Sequence, residues 1–263
     1  YLKSNNDFQL FNISRSRLND ETILYNFSDD NLSFDPIKKI KPDYIINCMG
    51  ILSAESKNNI KDAILLNSYL PHKLLDISNE INSKLIHIST DCVFSGEKIN
   101  PYYEYDYLDG KDNYSKTKGL GEIFSNNHLT IRTSVIGPEL SYNGNLLFNR
   151  FMKQEKKIKG YLNSFWSGVT TYELARAVKW SIDNNINGIY HITNNKKITK
   201  YEILNLFKKF TGKKIDIIPF SNKINDKSFL DTRKEINYII PDYDLMIKNM
   251  IQEIRKNLDL YNH

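Results

Sequence analysis

The sequence predicts an α/β fold in which a doubly wound parallel sheet carries a smaller, interleaved α/β lobe. Three apolar runs, at 44–49, 84–89 and 129–136, are continuous rather than alternating. This pattern is typical of strands that are buried on both faces of a parallel sheet. Helical patterns separate the runs, and the alternation indicates βαβ units of the Rossmann type.

The front half, residues 1–140, accounts for the main sheet. Gly50 ends the second predicted strand, and Gly137-Pro138 stops the last one. Between them, Leu70 and Leu74 repeat with other apolar residues at helical spacing on one face. The predicted elements are strands at 8–13, 44–49, 84–89 and 129–136 and helices at 59–79 and 114–124.

The back half, residues 141–263, predicts the smaller lobe, interleaved with a returning strand and helix of the first domain. Thr170 and Thr171 are expected to cap one helix, and Thr199 with Glu202 forms a capping box for the next. The predicted elements are helices at 146–152, 172–182, 200–210 and 243–258 and strands at 188–192 and 214–219.

Composition excludes several classes of protein. With 40% hydrophobic and 25% charged residues, the 263-residue chain is an ordinary soluble globular protein rather than a disordered or coiled-coil one. The net charge of +5 is spread out, and the densest basic run, Lys153–Lys159, contains Glu155. We interpret that run as a solvated helix end, so no nucleic-acid partner is expected.

Neither a membrane nor a metal is expected. No apolar run approaches the roughly 20 residues that span a bilayer, and the start lacks the pattern of a signal peptide. Cys48 and Cys92 lie in apolar segments, which favours a reducing cytoplasm. The five histidines are scattered without metal-ligand spacing.

Three features follow predicted strands or begin a helix, where an open parallel sheet places its active site. They are Ser89-Thr90-Asp91, Asn47 to Gly50, and Tyr114-Ser-Lys-Thr-Lys118. Tyr114 and Lys118 are four residues apart and share a helix face. We expect the ammonium to lower the pKa of the phenol, so that the tyrosine exchanges a proton with a carbonyl or hydroxyl group. A Tyr and a Lys at this spacing are also common on helices without function.

Motifs in a fixed order give the sequence a family resemblance. It resembles the extended short-chain dehydrogenase/reductase superfamily and, within it, the dTDP-4-dehydrorhamnose reductase family of sugar-nucleotide reductases. The resemblance covers nearly the whole chain. Its motifs are Pro42-Asp-Tyr-Ile-Ile-Asn-Cys48, Leu66-Asn-Ser68, His87-Ile-Ser-Thr-Asp-Cys-Val-Phe-Ser-Gly96, Tyr114-Ser-Lys-Thr-Lys118 with Gly121-Glu122, Ile131-Arg-Thr-Ser134, and Ser167-Gly-Val-Thr-Thr-Tyr-Glu-Leu-Ala175.

The resemblance implies an NADPH-dependent reduction of the 4-keto group of a nucleotide-linked 6-deoxy sugar, in surface-polysaccharide precursor synthesis. It makes Tyr114 the general acid, Lys118 the group that holds the nicotinamide ribose, and Thr90 a hydrogen-bond donor to the keto oxygen. The implied cofactor-binding residues are Ser14, Arg15, Ser16, Cys48, Met49, Gly50, Asn67, Tyr114, Lys118, Thr133 and Ser134, and the implied substrate-binding residues are Thr90, Cys92, Asn145 and Trp166 of the Phe165-Trp166 pair. Core packing is the alternative role of that aromatic pair.

The sequence departs from the family at three places. No Gly-rich turn for the pyrophosphate precedes Gly50, the first glycine. We expect a chain that lacks roughly 20 residues at its start, a strand, a turn and part of a helix; the alternative is a relative that has lost cofactor binding. Val169 replaces the usual proline, and Cys92 replaces a tyrosine, which leaves the sugar open.

The segment Ser14-Arg-Ser-Arg17 bears on cofactor choice. Sites that prefer NAD usually place an acidic residue after this strand, whereas arginine accommodates a 2′-phosphate. No acidic residue occurs before Asp20, so we predict NADPH, with NADH as the alternative. Solvent-facing arginines without a role remain the competing interpretation.

Two other functions stay open. Some relatives are non-catalytic regulatory subunits, and others are epimerases or dehydratases on the same fold. A dehydratase typically has acidic residues directly beside the catalytic threonine, and here Asp91-Cys92 supplies only one. The oligomeric state is not fixed by the sequence, and a homodimer is one alternative.

Overall fold

The computed structural model describes residues 1–3, 7–16, 20–27, 33–140, 144 and 146–261. It confirms the predicted α/β class with parallel strands. The strands are β1 Ile13–Ser14, β2 Ile23–Leu24, β3 Tyr44–Asn47, β4 Lys84–Ile88, β5 Leu129–Arg132, β6 Val135–Ile136, β7 Lys157–Tyr161, β8 Ser164–Trp166, β9 Val169–Thr170, β10 Gly188–His191, β11 Ile198–Thr199, β12 Asp216–Phe220 and β13 Asn225–Asp226. The helices are α1 Asp35–Ile40, α2 Ser53–Asn58, α3 Ile60–Ala63, α4 Leu70–Glu80, α5 Asn113–Leu120, α6 Leu147–Lys153, α7 Thr171–Asp183, α8 Lys200–Thr211, α9 Tyr243–Lys256 and α10 Leu258–Tyr261, with a π-helical turn at Ile64–Tyr69 and a 3-10 turn at Asp91–Val93.

The chain forms two compact units, and segments of the two units alternate along the sequence. The first contains Tyr1–Phe94, Tyr107–Arg132 and Asn185–Tyr190. The second contains the remaining segments, Ser95–Asp106, Thr133–Asn184 and His191–His263. Among the described residues, no helix combines the length and the apolar character needed to cross a membrane.

A four-stranded sheet in the order β10-β5-β4-β3 forms the centre of the first unit. Strands β3, β4 and β5 run parallel, with Ile46 opposite Ile86 and Ile86 opposite Leu129. Leu85, Ile86 and Leu129 are fully buried, as the continuous apolar runs predict for parallel strands. Strands β1 and β2 form a separate parallel pair.

The helix predicted over 59–79 is one helical stretch made of α3, the π-helical turn and α4. The π-helical turn buries Leu66, Asn67 and Ser68 in succession, whereas a regular α-helix turns away from its core face within that span. The buried polar side chains Asn67 and Ser68 both bond α5, at Thr117. The turn thereby fixes α5 to this helix.

The second unit contains three small sheets, β11-β8-β13, β12-β7 and β6-β9, together with the long helices α7, α8 and α9. The caps predicted at Thr170 and Thr199 are present, whereas Thr171 is the first residue of α7. The Thr170 hydroxyl accepts the Glu173 N–H at 3.2 Å, and Thr199 and Glu202 form the capping box. Phe207 packs edge-on against Phe148, with ring centroids 5.0 Å apart.

Three local predictions differ from the structure. The strand predicted at 129–136 is two strands, β5 and β6, which belong to different units because the chain changes unit after Arg132. The run Lys153–Lys159 is only in part a helix end, since Lys157 begins β7, which pairs with β12. The strand predicted at 8–13 is paired only from Ile13 onward.

Candidate active site

Thr90 lies just beyond the carboxyl end of β4, where the chain turns into the 3-10 turn. Its hydroxyl accepts the Cys92 N–H at 3.1 Å and lies 3.2 Å from Asp91 Oδ1. These contacts fix the Thr90 side chain, which is buried. Cys92 is half-buried in the same turn.

Tyr114 is in the first turn of α5. The Asp112 side chain begins this helix by accepting the Ser115 N–H at 2.8 Å, the role expected of an N-cap aspartate. Gly110 permits the close approach of the preceding loop, because a Cβ there would lie 2.4 Å from Ser115 Cβ and 2.8 Å from the Cys92 carbonyl oxygen. The start of α5 is thereby held against the turn that carries Thr90.

The pKa of Tyr114 shifts in the opposite direction from the expectation. Burial raises the pKa of the phenol well above its usual range, nearby Cys92 raises it further, and hydrogen bonding with the Thr90 side chain lowers it. The predicted lowering of the Tyr114 pKa was therefore wrong, because the groups that act on the phenol raise its pKa on balance; the Lys118 ammonium donates to the Ile88 carbonyl oxygen. At neutral pH, Tyr114 is therefore a protonated phenol.

Lys118 is buried one turn after Tyr114, and its Nζ donates to the Ile88 carbonyl oxygen at 2.8 Å. Burial lowers the pKa of this ammonium to about 8, although the Glu122 carboxylate opposes the shift. The lysine is thus anchored at the end of β4.

Two buried asparagines shape the loop that follows β3. The Asn47 side-chain amide lies 3.1 Å from His87 Nδ1, and its oxygen accepts the Met49 N–H at 3.1 Å. Asn67 accepts the Ile51 N–H at 2.8 Å and donates to the Ile51 carbonyl at 3.0 Å. The side-chain amide of Asn67 thus bonds the backbone of the loop at Ile51 and fixes the position of the loop.

Gly50 lies inside this loop and is exposed. A Cβ at Gly50 would be 2.9 Å from Asn67 Oδ1 and 4.0 Å from Lys118 Nζ. Cys48 is exposed beside it, and Met49 is half-buried. A side chain at position 50 would therefore crowd Asn67, whereas its Cβ would meet Lys118 Nζ only at an ordinary contact distance.

The sequence interpretation assigned no role to a buried ion pair behind Thr90. Arg132 donates to both carboxylate oxygens of Glu122, from Nε at 2.8 Å and Nη2 at 2.6 Å. Ser89, adjacent to Thr90, donates its hydroxyl to the same carboxylate at 2.6 Å. The available signal was the arginine within the apolar run 129–136, because a buried guanidinium requires an anionic partner.

The other predicted cofactor residues lie apart in the chain. Ser14 is half-buried in β1, and Arg15 and Ser16 are exposed directly after it. Arg17 lies outside the described residues. Thr133 and Ser134 begin the second segment of the second unit, where Thr133 donates its hydroxyl to the Ile192 carbonyl at 3.1 Å.

Of the predicted substrate residues in the second unit, Trp166 is buried and packs on Tyr243 with ring centroids 5.6 Å apart. Trp166 is therefore a core residue of the second unit in this structure. Core packing is the alternative role that the sequence left open for the Phe165-Trp166 pair. Phe165 is half-buried, and Lys197 Nζ lies 4.4 Å from its ring centroid. Asn145 lies outside the described residues.

Curated proteins with similar sequences include polysaccharide-biosynthesis proteins and reductases. The spore coat polysaccharide biosynthesis protein SpsK of Bacillus subtilis is 29% identical over 167 residues, 62% of this chain and 59% of the relative, so that match spans about three fifths of SpsK. The dTDP-4-dehydrorhamnose reductase of Shigella flexneri is 25% identical over 260 residues, 87% of this chain and 85% of the relative.

Solved structures share the fold. The dTDP-4-dehydrorhamnose reductase of Bacillus anthracis in complex with NADP superposes with a TM-score of 0.72 at 21% identity, covering 83% of both chains. A hypothetical dTDP-4-dehydrorhamnose reductase of Sulfolobus tokodaii gives 0.77 at 21% identity, covering 91% of both. A family model described as RmlD substrate binding domain matches residues 5–232. This match covers most of the chain, which therefore belongs to the RmlD substrate binding domain family.

Proposed function

We propose that the protein is an NADPH-dependent reductase of the 4-keto group of a nucleotide-linked 6-deoxy sugar. The observation that carries the proposal is the clustering of Thr90, Tyr114 and Lys118 around the carboxyl end of β4 in one unit. An open parallel sheet binds its ligands at this edge. The named activity of the reductase relatives supports the same reaction.

The residues of the first unit fit a nicotinamide cofactor. Gly50 is exposed and carries no side chain, so the loop offers bare backbone to a ligand. Lys118 supplies an ammonium beside that backbone, suited to the hydroxyls of a ribose. Exposed Arg15 after β1 suits a 2′-phosphate. The Bacillus anthracis reductase, which shares the fold, is solved with NADP.

In this proposal Tyr114 is the general acid. Because burial keeps its phenol protonated at neutral pH, the side chain holds a proton that it can give to the keto oxygen as negative charge develops there. Thr90 hydrogen-bonds the same oxygen and orients the carbonyl. NADPH, when bound, supplies the hydride that reduces the carbonyl carbon.

Replacement of one oxygen atom tests the assignment. Tyr114→Phe removes the proton donor but keeps the ring, so turnover of dTDP-4-dehydrorhamnose should fall at least about 100-fold. Binding of NADPH, measured by calorimetric titration, should remain. The matched control is Tyr105→Phe, which changes a tyrosine that is 86% exposed and should retain full turnover.

Each result separates the alternatives. Turnover that survives in Tyr114→Phe would refute the general-acid role. A wild-type chain that converts the sugar without net oxidation of NADPH would be an epimerase. A wild-type chain that neither binds NADPH nor oxidises it would contradict the reductase proposal and favour a regulatory relative.

A further inference from the structure

His87 is a fully buried imidazole in β4, and its two ring nitrogens differ in their surroundings. The residue is 0% exposed and lies opposite Asn47 in the parallel pair of β4 and β3. Its Nδ1 is 3.1 Å from the side-chain amide nitrogen of Asn47. Its Nε2 is also buried and, within the part of the chain that the structure describes, has no hydrogen-bond partner. The ring is therefore held through Nδ1 alone.

The contact with Asn47 fixes where the proton of the ring lies. The Asn47 Oδ1 atom accepts the Met49 N–H at 3.1 Å, and a backbone N–H bonds only the oxygen end of an amide. The NH₂ end of Asn47 is then turned towards His87 and donates to Nδ1. A ring nitrogen accepts a hydrogen bond only when it carries no proton, so the proton of the neutral ring is on Nε2.

The arrangement requires the neutral form of His87. In an imidazolium both ring nitrogens carry a proton, and the Nδ1–H group would then face the NH₂ group of Asn47 with no acceptor between them. Burial lowers the pKa of His87 well below its ordinary value, and the Lys118 ammonium and His72 lower it further. At neutral pH the ring is therefore in the form that accepts from Asn47.

A histidine at this position is less favourable for packing than an apolar residue. Its neighbours in β4, Leu85 and Ile86, are fully buried, as in a strand that is covered on both faces. A buried N–H group without an acceptor destabilises the folded state, and Nε2 of His87 is such a group. The hydrogen bond at Nδ1 is thus the feature of this side chain that an apolar residue could not supply.

That hydrogen bond acts on the loop that follows β3. Asn47 bonds this loop at Met49, and Asn67 bonds it at Ile51. Gly50, the exposed residue that offers backbone to a ligand, lies between the two points. Asn67 uses both ends of its amide on Ile51, whereas Asn47 uses one end on the loop. The other end of the Asn47 amide is held by His87.

We propose that neutral His87 is a positioning residue for residues 48–50, which we call the cofactor loop. By accepting from Asn47, the ring keeps the amide oxygen directed at the Met49 N–H and so fixes the backbone beside Gly50. His87 acts through Asn47 and contacts no reacting atom. The effect on NADPH rests on the proposed function, whereas the effect on the cofactor loop does not.

Two substitutions of equal size test the role in cofactor binding. His87→Asn and His87→Leu leave the same number of non-hydrogen atoms, but asparagine keeps an acceptor at the position of Nδ1 and leucine does not. In assays of NADPH oxidation with dTDP-4-dehydrorhamnose, His87→Leu should raise KM for NADPH at least about ten-fold and change kcat less than about three-fold. In His87→Asn, KM should stay within about three-fold of the wild-type value.

Amide hydrogen exchange without ligand gives a readout that does not depend on the reaction. The Met49 amide should exchange at least about ten-fold faster in His87→Leu than in His87→Asn. The Ile86 amide, in the buried strand β4, is the internal control and should exchange equally in both variants. The wild-type chain supplies a test that needs no variant, because its ¹⁵N spectrum should show the proton of the neutral His87 ring on Nε2.

The outcomes separate this proposal from the proposed function. Equal exchange of Met49 in the two variants, or a proton on Nδ1 of the neutral ring, would overturn the role of His87. Equal KM values for NADPH in the two variants would also overturn it, because the orientation of Asn47 would then not affect the cofactor. A wild-type chain that does not bind NADPH would refute the proposed function instead, and the exchange of Met49 would still decide whether His87 positions the cofactor loop.

Discussion

Removal of one partner from the buried ion pair of Glu122 and Arg132 should destabilise the first unit strongly. The side chains are 0% and 1% exposed, and two bonds of 2.8 and 2.6 Å join them. Glu122→Gln keeps the shape of the side chain but removes the Glu122 charge from the buried guanidinium. Loss of one member of a buried pair costs about 3–5 kcal/mol, and we expect each of Glu122→Gln and Arg132→Met to reduce the free energy of unfolding by that amount.

The double variant distinguishes the ion pair from general packing. Once both charges are gone, neither member of the pair stays buried without the other, so Glu122→Gln/Arg132→Met should cost no more than either single change. The coupling free energy is then about 3 kcal/mol or more. The Ser89 hydroxyl can still donate to the glutamine oxygen, so the loss of that hydrogen bond does not contribute to the difference between the single and double variants.

The assay must report on the first unit. Both tryptophans, Trp166 and Trp180, belong to the second unit, so their fluorescence does not follow the ion pair directly. Urea unfolding by far-ultraviolet circular dichroism, with amide exchange at β5, follows the correct region. Single variants that lose less than about 1 kcal/mol, or losses that simply add in the double variant, would refute the reasoning.

Three further predictions concern charge. The pKa of Lys118 is lowered to about 8, so NADPH binding should weaken above about pH 8 as the ammonium loses its proton. In calorimetric titrations, Lys118→Arg should remove this pH dependence. A pH profile that the substitution leaves unchanged would contradict the proposed role of Lys118. Arg15→Ala should reduce the preference for NADPH over NADH in the same assay, and a constant ratio of the two affinities would argue against a 2′-phosphate contact. Burial, together with the neighbouring Glu104 carboxylate, raises the pKa of Asp231 to about 7 from 3.8. The folded state therefore keeps this proton to higher pH than the unfolded state, so the free energy of unfolding should fall from about pH 4 to pH 7. In urea titrations followed by tryptophan fluorescence, Asp231→Asn should reduce this decrease in the free energy of unfolding. A pH dependence that the substitution does not change would exclude Asp231 as its source.

Local signals were sufficient for much of the fold. Continuous apolar runs identified β3, β4 and β5, and the capping box of Thr199 and Glu202 identified the start of α8. Each of these features depends on residues within a few positions of one another. The sequence also named Thr90, Tyr114 and Lys118, because strand ends and helix starts lie close to their own signals.

Long-range contacts account for the differences. The run 129–136 divides where the Thr133 hydroxyl bonds Ile192, 59 residues away, and no local pattern contains that partner. The direction of Lys118 likewise depends on the Ile88 carbonyl, 30 residues earlier in the chain. Helical spacing predicts that Tyr114 and Lys118 share one face of α5. It could not predict which hydrogen-bond acceptor the Lys118 ammonium would contact.

This choice of acceptor changes the chemical argument for the site. A lysine that lowered the pKa of Tyr114 would favour a phenolate, which is a base and suits removal of a proton from an alcohol. In the structure the ammonium is bonded to the Ile88 carbonyl, and burial raises the pKa of the phenol. A protonated phenol is an acid, and a developing alkoxide accepts its proton. If Tyr114 is the catalytic group, its surroundings at neutral pH therefore keep it in the protonated state that ketone reduction uses, the direction that the proposed function requires.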